Sequence, residues 1–336
     1  MIALSSENIE PTNSTKSHLG PAIPASMFGI VLGTAGLANA WRAASELWHF
    51  QSTIGDVIGL VATAIWVALI ALFATKWVLF PAEAKQELGH PVQCCFVGLI
   101  GVSTMLVGLV LARYSDITAN VLYWAGAIWT AGFSVWRTGA LWHGGRDATT
   151  TTAVLYLPSV AGFYVVAIVG APLGYLDLAK LAFGAAFFSW LAIESVLLNR
   201  LLTTTELAEP LRPTIGVQLA PPAVGAAAYL GVTDGTPDML AHAMVGYALL
   251  QLILMIRIFP WVLKQPLNAS YWAFSFGLTA LATDIIRMVC RGDRGLLEYL
   301  AMPALAAVTF ALLALALFSL RLLFTGKLLP LRPIGR

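Results

Sequence analysis

The feature that most constrains this chain is a succession of long apolar runs between residues 22 and 324. A transmembrane helix needs about 20 mostly apolar residues to cross a hydrocarbon core about 30 Å thick. Runs that meet this length cover 22–45, 54–80, 91–112, 117–141, 153–172, 176–200, 213–232, 238–260, 268–290 and 296–324. The breaks between them are short and rich in turn residues: "PAEAKQELGHP" at 81–91, "HGGRDATTTT" at 143–152, "GAPLGYLD" at 170–177 and "TDGTPD" at 233–238. The pattern predicts an all-α integral membrane protein of ten transmembrane helices.

Composition points the same way. Hydrophobic residues make up 59% of the 336, charged residues 11%, and the mean hydropathy is +0.80. Soluble domains carry about 25% charged residues. A single soluble core stops growing at about 250–300 residues, so it could not hide this much apolar surface. The expected solvent is the lipid bilayer. A net charge of +2 and the lack of a basic stripe give no reason to expect nucleic acid as a partner. Cys94, Cys95 and Cys290 form no disulfide framework and read as core residues.

The polar opening, "MIALSSENIEPTNSTKSHLG", lacks a basic start followed by an apolar stretch, so no cleavable signal is expected. The expected organisation is a cytoplasmic tail at 1–21, one transmembrane domain at 22–325 and a second cytoplasmic tail at 326–336. Placing both termini in the cytoplasm puts most of the 19 Lys and Arg residues, Lys16 and Lys76 among them, on the inner side. Arg287, Arg291 and Arg294 fall on the outer side and run against that bias. The expected location is a bacterial inner membrane, crossed many times.

The runs alternate in character. Odd-numbered ones begin near proline and are rich in small residues, as in "PASMFGIVLGTAGLANA" from Pro24 and "RPTIGVQLAPPAVGAAAY" from Arg212. Even-numbered ones are bulkier, as in "ALAAVTFALLALALFSLRLLF". The chain therefore reads as five helical hairpins, each with a small-residue inner helix and a bulky outer helix. Small residues let helices approach closely or leave a passage, and proline frees a carbonyl and bends the axis. Five inner helices ringed by five outer ones either enclose a central pore or pack solidly; small residues alone do not decide between the two.

Ionisable side chains are scarce along the inner helices. Asp284 lies about 24 Å into its helix at 1.5 Å per residue, and Arg287 three residues on is placed to pair with it. Glu194 and Arg137, at similar depths in two outer helices, are expected to form a buried ion pair; the functional alternative is a proton site at Glu194. The five histidines, His18, His49, His90, His143 and His242, show no metal-ligand spacing, so neither a metal nor a cofactor is expected. No phosphate loop or nucleophile motif suggests an enzyme.

The ninth run, "NASYWAFSFGLTALATDIIR" from Asn268, raises the question of what sits against Phe276 and why a glycine follows it. Taken together with "PASMFGIVLG", "STMLVG", "YLPSVAG" and "GVQLAPP", its "WAFSFGLTALA" resembles the tellurite-resistance/dicarboxylate transporter family, which includes bacterial TehA and the plant guard-cell slow anion channel. The resemblance runs from about Pro24 to Phe324. It implies quasi-fivefold symmetry, inner helices lining a pore and a homotrimer with one pore per subunit. It implies a gated channel for small monovalent anions such as chloride and nitrate, occluded by Phe276 on the ninth helix. It also implies pore-lining roles for Phe28, Gly29 and Gly33 on the first helix, for Phe96 and Phe163 on the third and fifth, and for Gly277, which with no Cβ would give the Phe276 ring room to swing or let the helix bend beside it. The alternative within the same family is a coupled carrier of C4-dicarboxylates such as malate, or a tellurite exporter. Basic residues at the mouths, Arg287, Arg291 and Arg294, are expected to raise the local anion concentration.

Overall fold

The computed structural model describes residues 19–21, 23–265, 267–328 and 331–333. Of the expected tails, residues 1–18, 329, 330 and 334–336 lie outside the described residues, with Lys16 and His18 among them. The described parts of the tails contribute a small antiparallel ribbon, β1 (Leu19–Pro21) against β2 (Leu331–Pro333), which brings the two ends of the chain together.

The rest of the fold is helical. The α-helices are α1 (Gly29–Trp48), α2 (Thr53–Leu79), α3 (Pro81–Gly89), α4 (Leu99–Leu111), α5 (Asp116–Trp142), α6 (Gly162–Gly170), α7 (Leu176–Thr203), α8 (Ala220–Val232), α9 (Met239–Val262), α10 (Ser275–Cys290) and α11 (Leu296–Phe324). Eight helical spans are long and apolar enough to cross a membrane. The all-α membrane reading holds. The segment 81–91, expected as a loop, instead carries the short helix α3, started by Pro81 where a missing N–H costs nothing.

Burial divides the spans into two sets. In those ending in α4, α6, α8 and α10, between 78% and 89% of the most apolar stretch is buried within the protein. In α2, α7, α9 and α11 the share is 22–33%, and Val135 on α5, Leu181, Ile256 and Phe310 point outward. Small residues explain the first set: Gly101 of α4 packs on the Gly126 backbone, and a Cβ there would lie 2.7 Å from the Gly126 oxygen. Such contact at the level of the backbone is how helices associate where lipid is as apolar as their side chains. The buried helices α1, α4, α6, α8 and α10 touch in the order α1–α4–α6–α8–α10, and α10 returns to α1.

Each buried helix also begins the same way. A tighter 3₁₀ segment precedes α1 (Ala25–Phe28), α4 (Gln93–Gly98), α8 (Glu209–Leu219) and α10 (Ala269–Phe274); before α6 the lead-in ends in a wider π turn (Leu157–Ala161). Pro24, Pro158 and Pro213 lie in or beside these lead-ins. Proline supplies no N–H, and 3₁₀ and π geometry shift the remaining partners, so the junctions are where regular backbone pairing is interrupted. Inside a bilayer such groups are tolerated only where protein or water faces them.

The first lead-in is held by charge. Glu87 of α3 accepts a hydrogen bond from the Ala25 N–H at 2.8 Å and pairs with Lys76 of α2 at 2.7 Å. Lys76 also donates to the Ile23 carbonyl at 3.0 Å. Both side chains are almost fully buried. Removing one member of a buried pair strands the other, at about 3–5 kcal/mol. Lys76→Met should therefore lower the thermal midpoint in detergent sharply. The double variant Lys76→Met/Glu87→Leu should recover part of the loss, and no recovery would deny the pair its structural role.

Candidate pore and gate

The site is built on α10, and its rotation follows from residue sizes on three adjacent stripes. At 100° per residue, Ser275 and Thr279 share one stripe, Phe276, Ala280, Thr283 and Arg287 the next, and Gly277 and Asp284 the third.

The first stripe packs on α1. A Cβ on Gly33 would overlap the Ser275 side chain, and one on Gly36 would lie 2.9 Å from Thr279 Cβ. The hydroxyls are already used within their own helix: Ser275 donates to the Trp272 carbonyl at 2.6 Å and Thr279 to the Phe276 carbonyl at 3.0 Å. The third stripe packs on α8, where a Cβ on Gly277 would meet Ala220 N and Leu219 Cβ at 3.0 Å. Phe276 lies between these two contacts and turns toward the axis of the ring.

Two cavities lie on that axis. One, of about 60 Å³, is lined at the lead-in junctions by Gly29, Phe96, Ala161, Ala220 and Phe276, each from a different buried segment. The other, of about 30 Å³, is lined by Gly36, Asn39, Leu106, Ile168, Val224 and Arg287, again drawing on all five segments. Among the described residues, Phe276 alone lines both. The space on either side of its ring is small, and each side is large enough to admit water, which needs roughly 10–15 Å³ on this measure.

The expected residues distribute as follows. Gly29 and Phe96 line the first cavity with Phe276. Phe28 does not: its ring is fully buried edge-on against Phe73 of α2, centroids 5.9 Å apart, so it faces the outer helix. Gly33 serves the α1–α10 contact rather than the cavity. Gly277 faces the start of α8 and lets the two helices touch there. Phe163 is half-buried and lines neither cavity; it is two residues, or 200°, round the helix from Ala161.

Both expected ion pairs require correction. Among the described residues the Glu194 carboxylate meets no cation. It accepts from Tyr156 Oη at 2.5 Å, Trp190 Nε1 at 2.8 Å, Gln218 Nε2 at 2.8 Å and Tyr247 Oη at 2.6 Å. Four donors saturate its lone pairs and join α7, α9 and the lead-ins of α6 and α8. Arg137 is drawn instead to the Pro91 carbonyl at 3.0 Å, beside the lead-in of α4. Asp284 and Arg287 do not pair either. Asp284 is fully buried on the α8 side with neither oxygen hydrogen-bonded, whereas Arg287 turns into the second cavity. Of the other two mouth arginines, Arg291 donates to the Gly235 and Leu230 carbonyls and Arg294 pairs with Glu298 at 3.0 Å.

Sequence reasoning named Arg287 as a mouth residue without placing it on the axis, and it missed Asn39. The signal for Arg287 was there: Phe276, Ala280, Thr283 and Arg287 follow the i, i+4, i+7, i+11 spacing of one helix face. No comparable signal marked Asn39 or the donors around Glu194.

Comparison with known proteins agrees with this architecture. The profile of the voltage-dependent anion channel family matches residues 22–326. The chain belongs to that family. It is 40% identical over 263 residues to a tellurite resistance protein TehA homolog of Haemophilus influenzae, covering 78% of this chain and 80% of that one. It is 22% identical over 277 residues to the S-type anion channel SLAH2 of Arabidopsis thaliana (79% of this chain, 52% of that one). The guard cell S-type anion channel SLAC1 of the same plant is likewise 22% identical, over 280 residues (79% and 49%). The chain thus spans about half the length of these plant relatives.

The packing around Phe276 makes two glycines of α1 behave differently. Gly33→Leu would force the α1–α10 contact apart and should destabilise by about 1–3 kcal/mol or more, as overpacking does. At Gly29 a Cβ would meet Trp272 at an ordinary 3.8 Å, so Gly29→Ala should leave the thermal midpoint near wild type. Equal midpoints for the two variants would contradict the assigned contacts.

Proposed function

We propose that this protein is a gated anion channel whose pore follows the axis of the five buried helices and is closed by Phe276. The observation that carries the reading is the position of Phe276 between two axial cavities, each lined by all five buried segments. In this reading the five helical hairpins are quasi-equivalent, residues 22–325 form one transmembrane unit, and the short tails lie in the cytoplasm. The reading places the channel in a bacterial inner membrane as a homotrimer with one pore per subunit, and the relatives' names, an S-type anion channel and a tellurite resistance protein, support the anion transport.

The choice of anions rests on the lining. No carboxylate lines either cavity among the described residues, and Arg287 and the Asn39 amide line the second. A cationic side chain at a narrow, low-dielectric passage attracts anions and repels cations. Ser26, Thr214 and Ser270 line the wider cavity. Apolar walls with few fixed donors bind every anion weakly, so permeation ranks ions by how easily they lose water, nitrate before chloride.

A coupled carrier of C4-dicarboxylates, or a tellurite exporter, is the second reading. It draws on Asp284, a buried carboxylate without a hydrogen-bond partner on the gate helix itself, since unpaired intramembrane carboxylates often serve proton coupling.

Three substitutions separate these readings. Phe276→Ala should raise anion current on the order of tenfold or more, because each ~1.4 kcal/mol taken off the barrier is a factor of ten in rate. Gly29→Asp should abolish it by placing a carboxylate in the wider cavity. In the Phe276→Ala background, Arg287→Gln should reduce the preference for chloride over sodium in the reversal potential. Unchanged current in Phe276→Ala, with malate uptake that requires a proton gradient, would favour the carrier.

A further inference from the structure

The narrower cavity beyond Phe276 is where polar groups of two helices meet. Asn39 of α1 lines it together with Thr283 and Arg287 of α10. The register of the helices brings these residues to one level. Gly33 faces Ser275 and Gly36 faces Thr279, so one turn further Asn39 stands near the level of Thr283. Arg287 sits four residues past Thr283, about 6 Å along the axis. A helical side chain leans toward the N-terminus of its own helix, so the Arg287 chain reaches back to that level.

Arg287 finds no bonded partner in the protein. It is half-buried, and its side chain makes no hydrogen bond or ion pair among the described residues. Asp284 lies within electrostatic reach, but it is buried on the α8 side and neither of its oxygens accepts a hydrogen bond. The Asn39 side chain is likewise without a hydrogen bond among the described residues. Thr283 has spent its hydroxyl proton on the Thr279 carbonyl, at 2.7 Å. Leu106, Ile168 and Val224 make the rest of the wall largely apolar, and no carboxylate lines it. A cation within a membrane span is costly unless something pairs with it. Here it lines a narrow cavity beside an amide with free donors, and the protein supplies no anion to either.

We propose that this cavity is a binding site for one small monovalent anion, held by Arg287 and Asn39. The site rests on the reading of the axis as an anion path and adds to it a fixed resting place beside Phe276. Its ligand class follows from size and donor shape. About 30 Å³ is a few times the ~10–15 Å³ that one water needs. That is room for a halide or nitrate and too little for a C4-dicarboxylate. A guanidinium presents its N–H groups as a planar fork, which matches two oxygens of a planar oxyanion. Nitrate is therefore held more tightly than chloride, through hydrogen-bond geometry as well as ease of dehydration.

The test is the thermal midpoint of the purified full chain in detergent, titrated with nitrate, chloride or malate against gluconate at constant ionic strength. A ligand that binds the folded state raises the midpoint saturably. The site predicts half-saturation at lower concentration for nitrate than for chloride, and no saturable rise with malate. Arg287→Gln should raise the half-saturating nitrate concentration on the order of tenfold, as expected for a lost hydrogen bond to a charged group. Asn39→Leu should raise it in the same direction. Arg287→Lys, which keeps the charge without the fork, should bind chloride but lose the preference for nitrate. Arg294→Gln, whose side chain pairs with Glu298 away from the cavity, should match the wild type. The proposal is overturned if nitrate gives the wild type no saturable rise, if Arg287→Gln titrates like Arg294→Gln, or if malate saturates as nitrate does. Current through Phe276→Ala, measured alongside, keeps the two readings apart. Anion current without saturable binding overturns the site and leaves the channel standing. Binding that Arg287→Gln weakens, with no current, sustains the site and removes the channel.

Discussion

The close approach of α1 and α10 is the contact on which the rest of the structure depends. Gly33 and Gly36 admit Ser275 and Thr279 to backbone distance, and the two hydroxyls are satisfied inside their own helix. On the opposite flank Gly277 admits Leu219 and Ala220. Two glycine contacts on either side leave α10 one rotation about its axis. That rotation aims Phe276 inward and continues through Ala280 and Thr283 to Arg287. The inward direction of Phe276 is thus a consequence of three small residues as much as of the aromatic ring.

The bilayer imposes the second condition. Helices can abandon regular backbone pairing there only where protein faces them, and each buried helix does so at its lead-in. Polar side chains hold these lead-ins in place. The Lys76–Glu87 pair holds the first, the Arg137 guanidinium reaches the Pro91 carbonyl beside the second, and Glu194 ties together the third and fourth through Tyr156 and Gln218. Gln218 immediately precedes Leu219 and Ala220, the residues that press on Gly277. The Glu194 cluster therefore helps position the α8 surface that sets the rotation of α10.

Much of the fold was legible because its determinants are local in sequence. Apolar run length marked the membrane spans, and the alternation of small and bulky runs separated buried helices from lipid-facing ones. The helix α3 was hidden because "PAEAKQELGHP" is short, polar and bracketed by prolines, which reads as a loop until Glu87 is seen to meet Lys76 and Ala25. At the site, Phe276, Gly29 and Phe96 came from the family resemblance, and the geometry brings them to one cavity. Phe28, Gly33 and Gly277 were read as pore-lining, whereas the packing turns each of them toward a neighbouring helix. A glycine's role depends on which helix approaches it, and the sequence does not say which that is. The ion pairs failed for a related reason. Depth along a helix was readable for Glu194, Arg137, Asp284 and Arg287, but azimuth and competing donors were not.

Side-specific cysteine labelling tests most directly whether Phe276 divides one axial passage. With Cys94, Cys95 and Cys290 replaced by serine, Ala161→Cys would report on the wider cavity and Ala280→Cys on the narrower one. A small anionic thiosulfonate reagent would be applied from one face of the membrane at a time. With Phe276 intact, the account predicts that each cysteine reacts from its own face only. With Phe276→Ala, both react from either face. Free reaction of both cysteines from one face while the ring is in place would contradict it, as would one-sided reaction that persists after the ring is removed.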